Sequence, residues 1–165
     1  MASAHGHQHG SSGAAAKPNH YVRLVWMTAL SFVSMYTLMY AMVDSAGNIY
    51  NSFNQVYMAG LMTAPMVVIE LLLMSGMYEN KRLNALLVGV SVLAGIAFFT
   101  FIRQQTVIGD RQFLRSMIPH HAGAILMCEE ATVHDQRVKN LCKGIIESQR
   151  SEIDQMRAML GERRP

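Results

Sequence analysis

The stretch LNALLVGVSVLAGIAFFTFI, residues 83–102, runs without a single charged side chain. A helix needs roughly 20 predominantly apolar residues to cross the hydrocarbon core of a bilayer, so this segment reads as a membrane span. Two upstream runs have the same character, at about 24–43 and 56–77, the second carrying only Glu70. Helices satisfy every backbone donor and acceptor within the segment, which is what lets them enter lipid. The expectation is an all-α chain with a three-helix transmembrane region over residues 20–103.

Little more than 60 residues follow the third run. That is too few for a large independent core, so the tail needs a partner surface: the membrane helices or a second copy of the chain. Apolar residues recur there at helical spacing over two segments. Asp110, after Gly109, is a plausible cap for a helix reaching about Ala131. His134 lies in a short turn, Asp135 can cap the second helix, and Gly161 follows its end. Residues 110–161 therefore read as a helical hairpin held close to the membrane, completed by dimerisation or by another helical membrane partner.

The formal charge is +3, with the cations scattered and no basic block or nucleic-acid motif, so nucleic acid is not an expected partner. The loop after the first run, roughly 44–55, has no Lys or Arg, whereas Lys17, Arg23, Lys81 and Arg82 flank the opposite side. The positive-inside rule then places the N-terminus in the cytoplasm and the hairpin outside it. Arg103, Arg111 and Arg115 argue mildly the other way. The first apolar run is longer than a signal-peptide core, and no small-residue cleavage site follows it. Residues 1–19 read as a disordered tail rich in Ala, Gly, Ser and His. His5, His7 and His9 could bind Cu(II) or Zn(II) weakly, or belong to an ordinary solvated tail.

The chemistry is concentrated in Met117-Ile-Pro-His120-His121-Ala-Gly-Ala-Ile-Leu-Met127. Imidazole and thioether together suit a soft or borderline metal, above all copper. At about 100° per residue, Asp110, Phe113, Leu114, Met117, His121, Ala124 and Cys128 share one face, with His120 and Met127 at its edge. On the second helix Val138, Cys142, Ile145, Gln149, Glu152, Ile153 and Met156 share a face. Folding about 133–134 sets Met117 opposite about 150 and His121 opposite about 146. The candidate ligands are Met117, His120, His121, Met127 and Met156, oriented by Gln149 or Glu152. Adjacent histidines point about 100° apart on a helix, so one ion is not expected to take both. The plainer alternative is a His–Gln or His–Glu hydrogen bond inside an ordinary helix interface. Pro119 removes one backbone bond just before the histidines. Cys128 and Cys142 form neither a C-x-x-C motif nor a disulfide framework. The expected register offsets them by about a turn, which favours buried free thiols.

The run Asp110-x-x-Phe113-Leu114-x-x-Met117-Ile118-Pro119-His120-His121-x-x-Ala124-Ile125-x-Met127, followed by Gln149-x-x-Glu152-Ile153-x-x-Met156, resembles the bacterial domain of unknown function 305 family over about 110–160. The three preceding spans resemble a membrane-bound branch of it. The resemblance implies a ferritin-like helical architecture, and copper or silver binding outside the cytoplasm in some members.

In the membrane, Met58, Met62 and Met66 step by four toward Glu70, with Met74 and Met77 beyond. They could pass Cu(I) along a thioether path, or simply fill gaps between helices. Glu-x-x-His pairs and H-E-x-x-H are absent from the sequence, so an enzyme is not expected. The expected function is a membrane-anchored copper-binding protein of metal homeostasis or resistance in a bacterial cytoplasmic membrane, taking Cu(I) or Ag(I). The alternative is a metal-free protein whose hairpin docks a helical partner.

Overall fold

The computed structural model describes residues 20–161, so His5, His7 and His9, the possible weak Cu(II) or Zn(II) ligands of the tail, lie outside the described residues. The described chain is all-helical. α1 (His20–Leu38) tightens into a 3-10 turn over Met39–Met42. A loop with a second 3-10 turn (Ala46–Asn48) leads to α2 (Phe53–Leu73), and α3 (Lys81–Gln104) returns antiparallel. α4 (Asp110–Glu130) and α5 (Gln136–Met159) form the hairpin. The first three helices are long and apolar enough to cross a membrane.

Local chemistry explains the ends. Asn80 Oδ1 accepts from Leu83 N–H at 3.0 Å and so caps α3. Asp135 Oδ1 accepts from Arg137 N–H at 2.8 Å, the expected cap of α5. Gly161 follows with φ +77°, a left-handed stop that glycine adopts without penalty. α4 differs slightly: Gly109 is its N-cap and Asp110 its first helical residue, where the carboxylate still complements the helix dipole. α3 ends at Gln105, in the left-handed region at φ 49°. Its amide is tied across to Asn54 by bonds of 3.0 and 3.2 Å, a reversal with no glycine to announce it. Pro119 sits within α4, which runs on through it.

α2 is the middle of the layer formed by the three span-length helices and packs against both α1 and α3. Its buried face is Ala59, Gly60, Thr63, Ala64, Val67 and Leu71. Small side chains let helices approach where no hydrophobic driving force separates helix from lipid. The sequence places such a stripe on α3, at Ala85/Gly89 and Ser91/Gly95. Of these glycines only Gly95 packs, where a Cβ would stand 3.5 Å from Ala64 Cβ, while Gly89 faces open space. The operative small residue is Gly60, where a Cβ would stand 2.5 Å from the Phe98 ring. Met58, Met62, Met74 and Met77 are exposed on the outer surface of this layer rather than between its helices. Glu70 lies in the last turn of α2, where it accepts from Tyr78 O–H at 3.3 Å.

The topology sets the hairpin and the first loop on one side of this layer, with Tyr21, Asn80 and Asn84 joined on the other. The first loop supplies the surface that the hairpin needs. Val43 and Tyr50 pack against the core of Ile118, Ala122, Ile125, Ile153 and Met156. Arg157 Nη2 donates to Gly47 O at 2.9 Å and to Asn48 Oδ1 at 2.7 Å. Asn48 is itself buried, and donates to Asp44 Oδ1 at 2.6 Å. Gln112 Oε1 accepts from Phe53 N–H, and Asn54 Nδ2 donates to Ser116 Oγ.

The hairpin corrects one expectation. Cys128 and Cys142 are joined as a disulfide, with Cα atoms 5.2 Å apart, and no free cysteine remains among the described residues. The connection from Ala131 to Asp135 is extended rather than a tight turn, so the pairing centre falls at 135 instead of 133–134. That shift brings the two cysteines level.

Two outcomes follow from this packing. Gly60→Val should lower the melting temperature in detergent, by the equivalent of about 1–3 kcal/mol of overpacking. Phe98→Leu in the same chain should recover part of the loss, and a loss unaffected by Phe98 would contradict the packing. The disulfide closes a short loop, so Cys128→Ala/Cys142→Ala should destabilise the hairpin by about 2–4 kcal/mol. Hydrogen exchange of α4 and α5 reads this directly, and unchanged protection would contradict it.

Candidate metal centre

The rotation of α4 decides which of its two histidines faces the hairpin seam. Ile118 and Ala122 are wholly buried and Ile125 nearly so. Burying an isoleucine side chain contributes about 1.5–3 kcal/mol, so these three positions fix the inward direction. The helical wheel built on Met117, His121 and Ala124 is therefore turned from the true centre. Met117 and His121 border the buried strip, while Phe113 is 50% exposed.

His121 lies at the seam, its side chain only 12% exposed. Its Nδ1 is 3.3 Å from Glu152 Oε2 across the hairpin. The contact is close but off the line of a hydrogen bond, leaving Nδ1 buried without an aligned partner. The partner is Glu152 rather than a residue near 146: the displaced pairing centre sets His121 level with Gln149, and Glu152 reaches it from about one turn further along α5. Glu152 Oε1 accepts from Ser148 Oγ at 2.7 Å, which restrains the carboxylate. Burial pushes the imidazole pKa down from its ordinary value. Glu152 pulls it partly back up, and His120 lowers it again. The ring is thus held neutral near pH 7, with one nitrogen free as a lone-pair donor.

The other predicted residues divide. Met156 belongs to the buried cluster between α4 and α5, and Met117 packs against that cluster. Gln149 is half-buried on α5. His120 is exposed, its ring centroid 6.2 Å from that of His121. Met127 is 54% exposed. Phe113, His120 and Met127 thus form an outward stripe one heptad apart. Among the described residues no three His, Cys, Asp or Glu side chains converge as a metal-binding group.

Sequence reasoning missed the first loop. Asp44, Ser45 and Asn48 meet Ile125, Arg150, Ile153, Asp154 and Arg157 around a polar cleft of about 180 Å³ beside the seam. Arg150 Nη2 also donates to Glu129 Oε1 at 2.5 Å. The only sequence signal was indirect: a chain too short to complete its own core.

A family model for a domain of unknown function, DUF305, matches residues 58–160. The match begins in α2 and extends through α5, well beyond the 110–160 expected from the motifs, so it takes in two membrane-length helices with the hairpin. An uncharacterized protein of Acanthamoeba polyphaga mimivirus, L153, is 34% identical over 144 residues, covering 86% of this chain and 93% of its own length. No solved structure matches the chain. A family model spanning most of the chain and a relative similar along nearly its whole length agree: the chain belongs to the DUF305 family.

Proposed function

We propose that this chain is a non-enzymatic, membrane-anchored metal-binding protein that takes Cu(I), or Ag(I) by mimicry, at the hairpin seam. One observation carries the reading: a seam imidazole, His121, kept neutral by burial beside a restrained carboxylate, with Met117 and Met156 on the adjoining core. An imidazole whose Nδ1–H leans toward a carboxylate presents Nε2 to a metal, the arrangement that orients many ligating histidines. Thioethers supply the soft donors that Cu(I) and Ag(I) prefer over Zn(II). His120 and Met127 would serve a second, outer position or a partner copy.

The same reading puts the hairpin outside the cytoplasm. A disulfide at Cys128–Cys142 is supported by an oxidising compartment, and the cation-free first loop lies on the hairpin side. A bacterial cytoplasmic membrane is the setting that the family resemblance suggests, with capture of metal for homeostasis or resistance as the role. A metal-free docking role is the second reading, favoured by the exposed stripe of Phe113, His120 and Met127.

Titration of the full chain with Cu(I) against a competing chelator separates the two. His121→Ala should weaken binding by at least about 100-fold and Glu152→Gln by about 10–100-fold. His120→Ala should change the tightest site by less than about tenfold. Equal binding in all three variants would exclude the seam, and no tight binding in the wild type would leave docking in front.

The pH dependence has a definite sign. Because the folded pKa of His121 lies below the unfolded value of 6.5, the folded chain binds fewer protons in that interval. Its contribution to stability is complete above the unfolded value and falls away as pH drops through the lowered folded value. Melting at about pH 7.5 against about pH 5.5 should show the hairpin weaker in acid, and His121→Gln should flatten the difference.

A further inference from the structure

α1 and α3 both pack on α2 and touch at the Tyr21–Asn84 hydrogen bond, and the space between them beyond that contact is an apolar groove of about 750 Å³. Its walls include Val25 and Phe32 on α1 and Val90 and Ala94 on α3, and its floor is Gly60 and Ala64. We propose that this groove binds the acyl chains of an anionic phospholipid, with the headgroup phosphate met by Lys81 and Arg82.

Four observations carry the proposal. The groove lies wholly within the three membrane-length helices, so its occupant comes from the hydrocarbon phase. It extends from Tyr21 to Val33 along α1, about 18 Å at 1.5 Å per residue. That is close to one leaflet, half of a hydrocarbon core about 30 Å thick. Its two threonine hydroxyls are satisfied within their own helices: Thr28 Oγ1 donates to Leu24 O, and Thr63 Oγ1 to Ala59 O, both at 2.8 Å. Apart from Tyr21 and Ser91 the remaining lining is apolar, which suits an acyl chain.

Charge supplies the selectivity. The groove starts at Tyr21 and Leu83, immediately beside exposed Lys81 and Arg82, with Arg23 on the same side; the acids at this end are Glu79 and Glu70, the latter engaged by Tyr78 O–H. Long cationic side chains reach from a helix end to the headgroup layer while their stems stay in apolar surroundings. The other end stops at Phe98, short of Arg103. A lipid seated here therefore has its phosphate at the Lys81–Arg82 end, and anionic headgroups are favoured where lysine and arginine cluster at the surface.

The proposal rests on the membrane reading of α1–α3 and is independent of the metal reading. The full chain in a mild non-ionic detergent is mixed with equal amounts of phosphatidylglycerol and phosphatidylcholine of identical acyl chains. Native mass spectrometry then counts the lipids retained. Wild type should keep one phosphatidylglycerol in preference, and Lys81→Gln/Arg82→Gln should cut that preference by at least about fivefold. Ser91→Phe, which fills the groove from α3, should reduce retention of both lipids. Ala29→Phe does the same from α1 if the first variant does not fold. Equal retention of the two lipids by wild type, retention indifferent to all these variants, or a lipid-free dimer closed over the groove would overturn the proposal. A wild-type chain that stays monodisperse without detergent would instead overturn the membrane reading itself, a distinct result.

Discussion

The contact between the first loop and the hairpin is the constraint on which the rest of the molecule depends. Two helices of this length cannot close a core between themselves. Val43 and Tyr50 provide the missing wall, and Arg157 clamps α5 to Gly47 and Asn48. Gly123 lets α4 approach the loop backbone closely: a Cβ there would stand 3.3 Å from Met42 O. Once α4 is pressed against this wall through Ile118, Ala122 and Ile125, its rotation is fixed. That rotation turns His121 to the seam and His120 to the outside. A local packing requirement thus settles the chemistry of two adjacent residues that share a type and differ only in direction.

The same contact joins the three apolar helices and the hairpin into one unit. α1 and α2 are linked by the loop that walls the hairpin core. The family match, beginning at residue 58, spans both parts. Electrostatics follows from this placement. A histidine out in water would titrate at its ordinary value, but burial at the seam keeps His121 neutral despite Glu152 beside it. Desolvation outweighs the carboxylate because the pair is poorly aligned and Glu152 is 44% exposed. A neutral imidazole is the form that can bind a metal.

Much of the fold was legible because its signals are strong and local. Three long apolar runs, Asp135 as a cap and Gly161 as a stop required no tertiary information. The residues that resisted are those set by tertiary contacts. The cysteine pairing depended on a register shift that an extended connection produces and composition does not reveal. The inward face of α4 was misjudged because polar His121 and apolar Ile118 lie on neighbouring rows, and only burial against the loop decides between them. Gly60 went unnoticed because its partner, Phe98, is on another helix. The candidate site was legible as a set of residue types, not as an arrangement: His121 meets Glu152 across the hairpin and Met117 and Met156 pack in the apolar core, whereas His120 and Met127 are exposed.

The central claim is that a soft metal ion is held at the seam by one imidazole and by thioether sulfur. X-ray absorption at the copper edge of the Cu(I)-loaded full chain tests it most directly, because nitrogen and sulfur neighbours are distinguished by distance and scattering. The account predicts a mixed first coordination sphere with one imidazole and at least one sulfur, which loses sulfur in Met117→Leu/Met156→Leu. A sphere of nitrogen and oxygen alone, or one unchanged by removing both methionines, would contradict it.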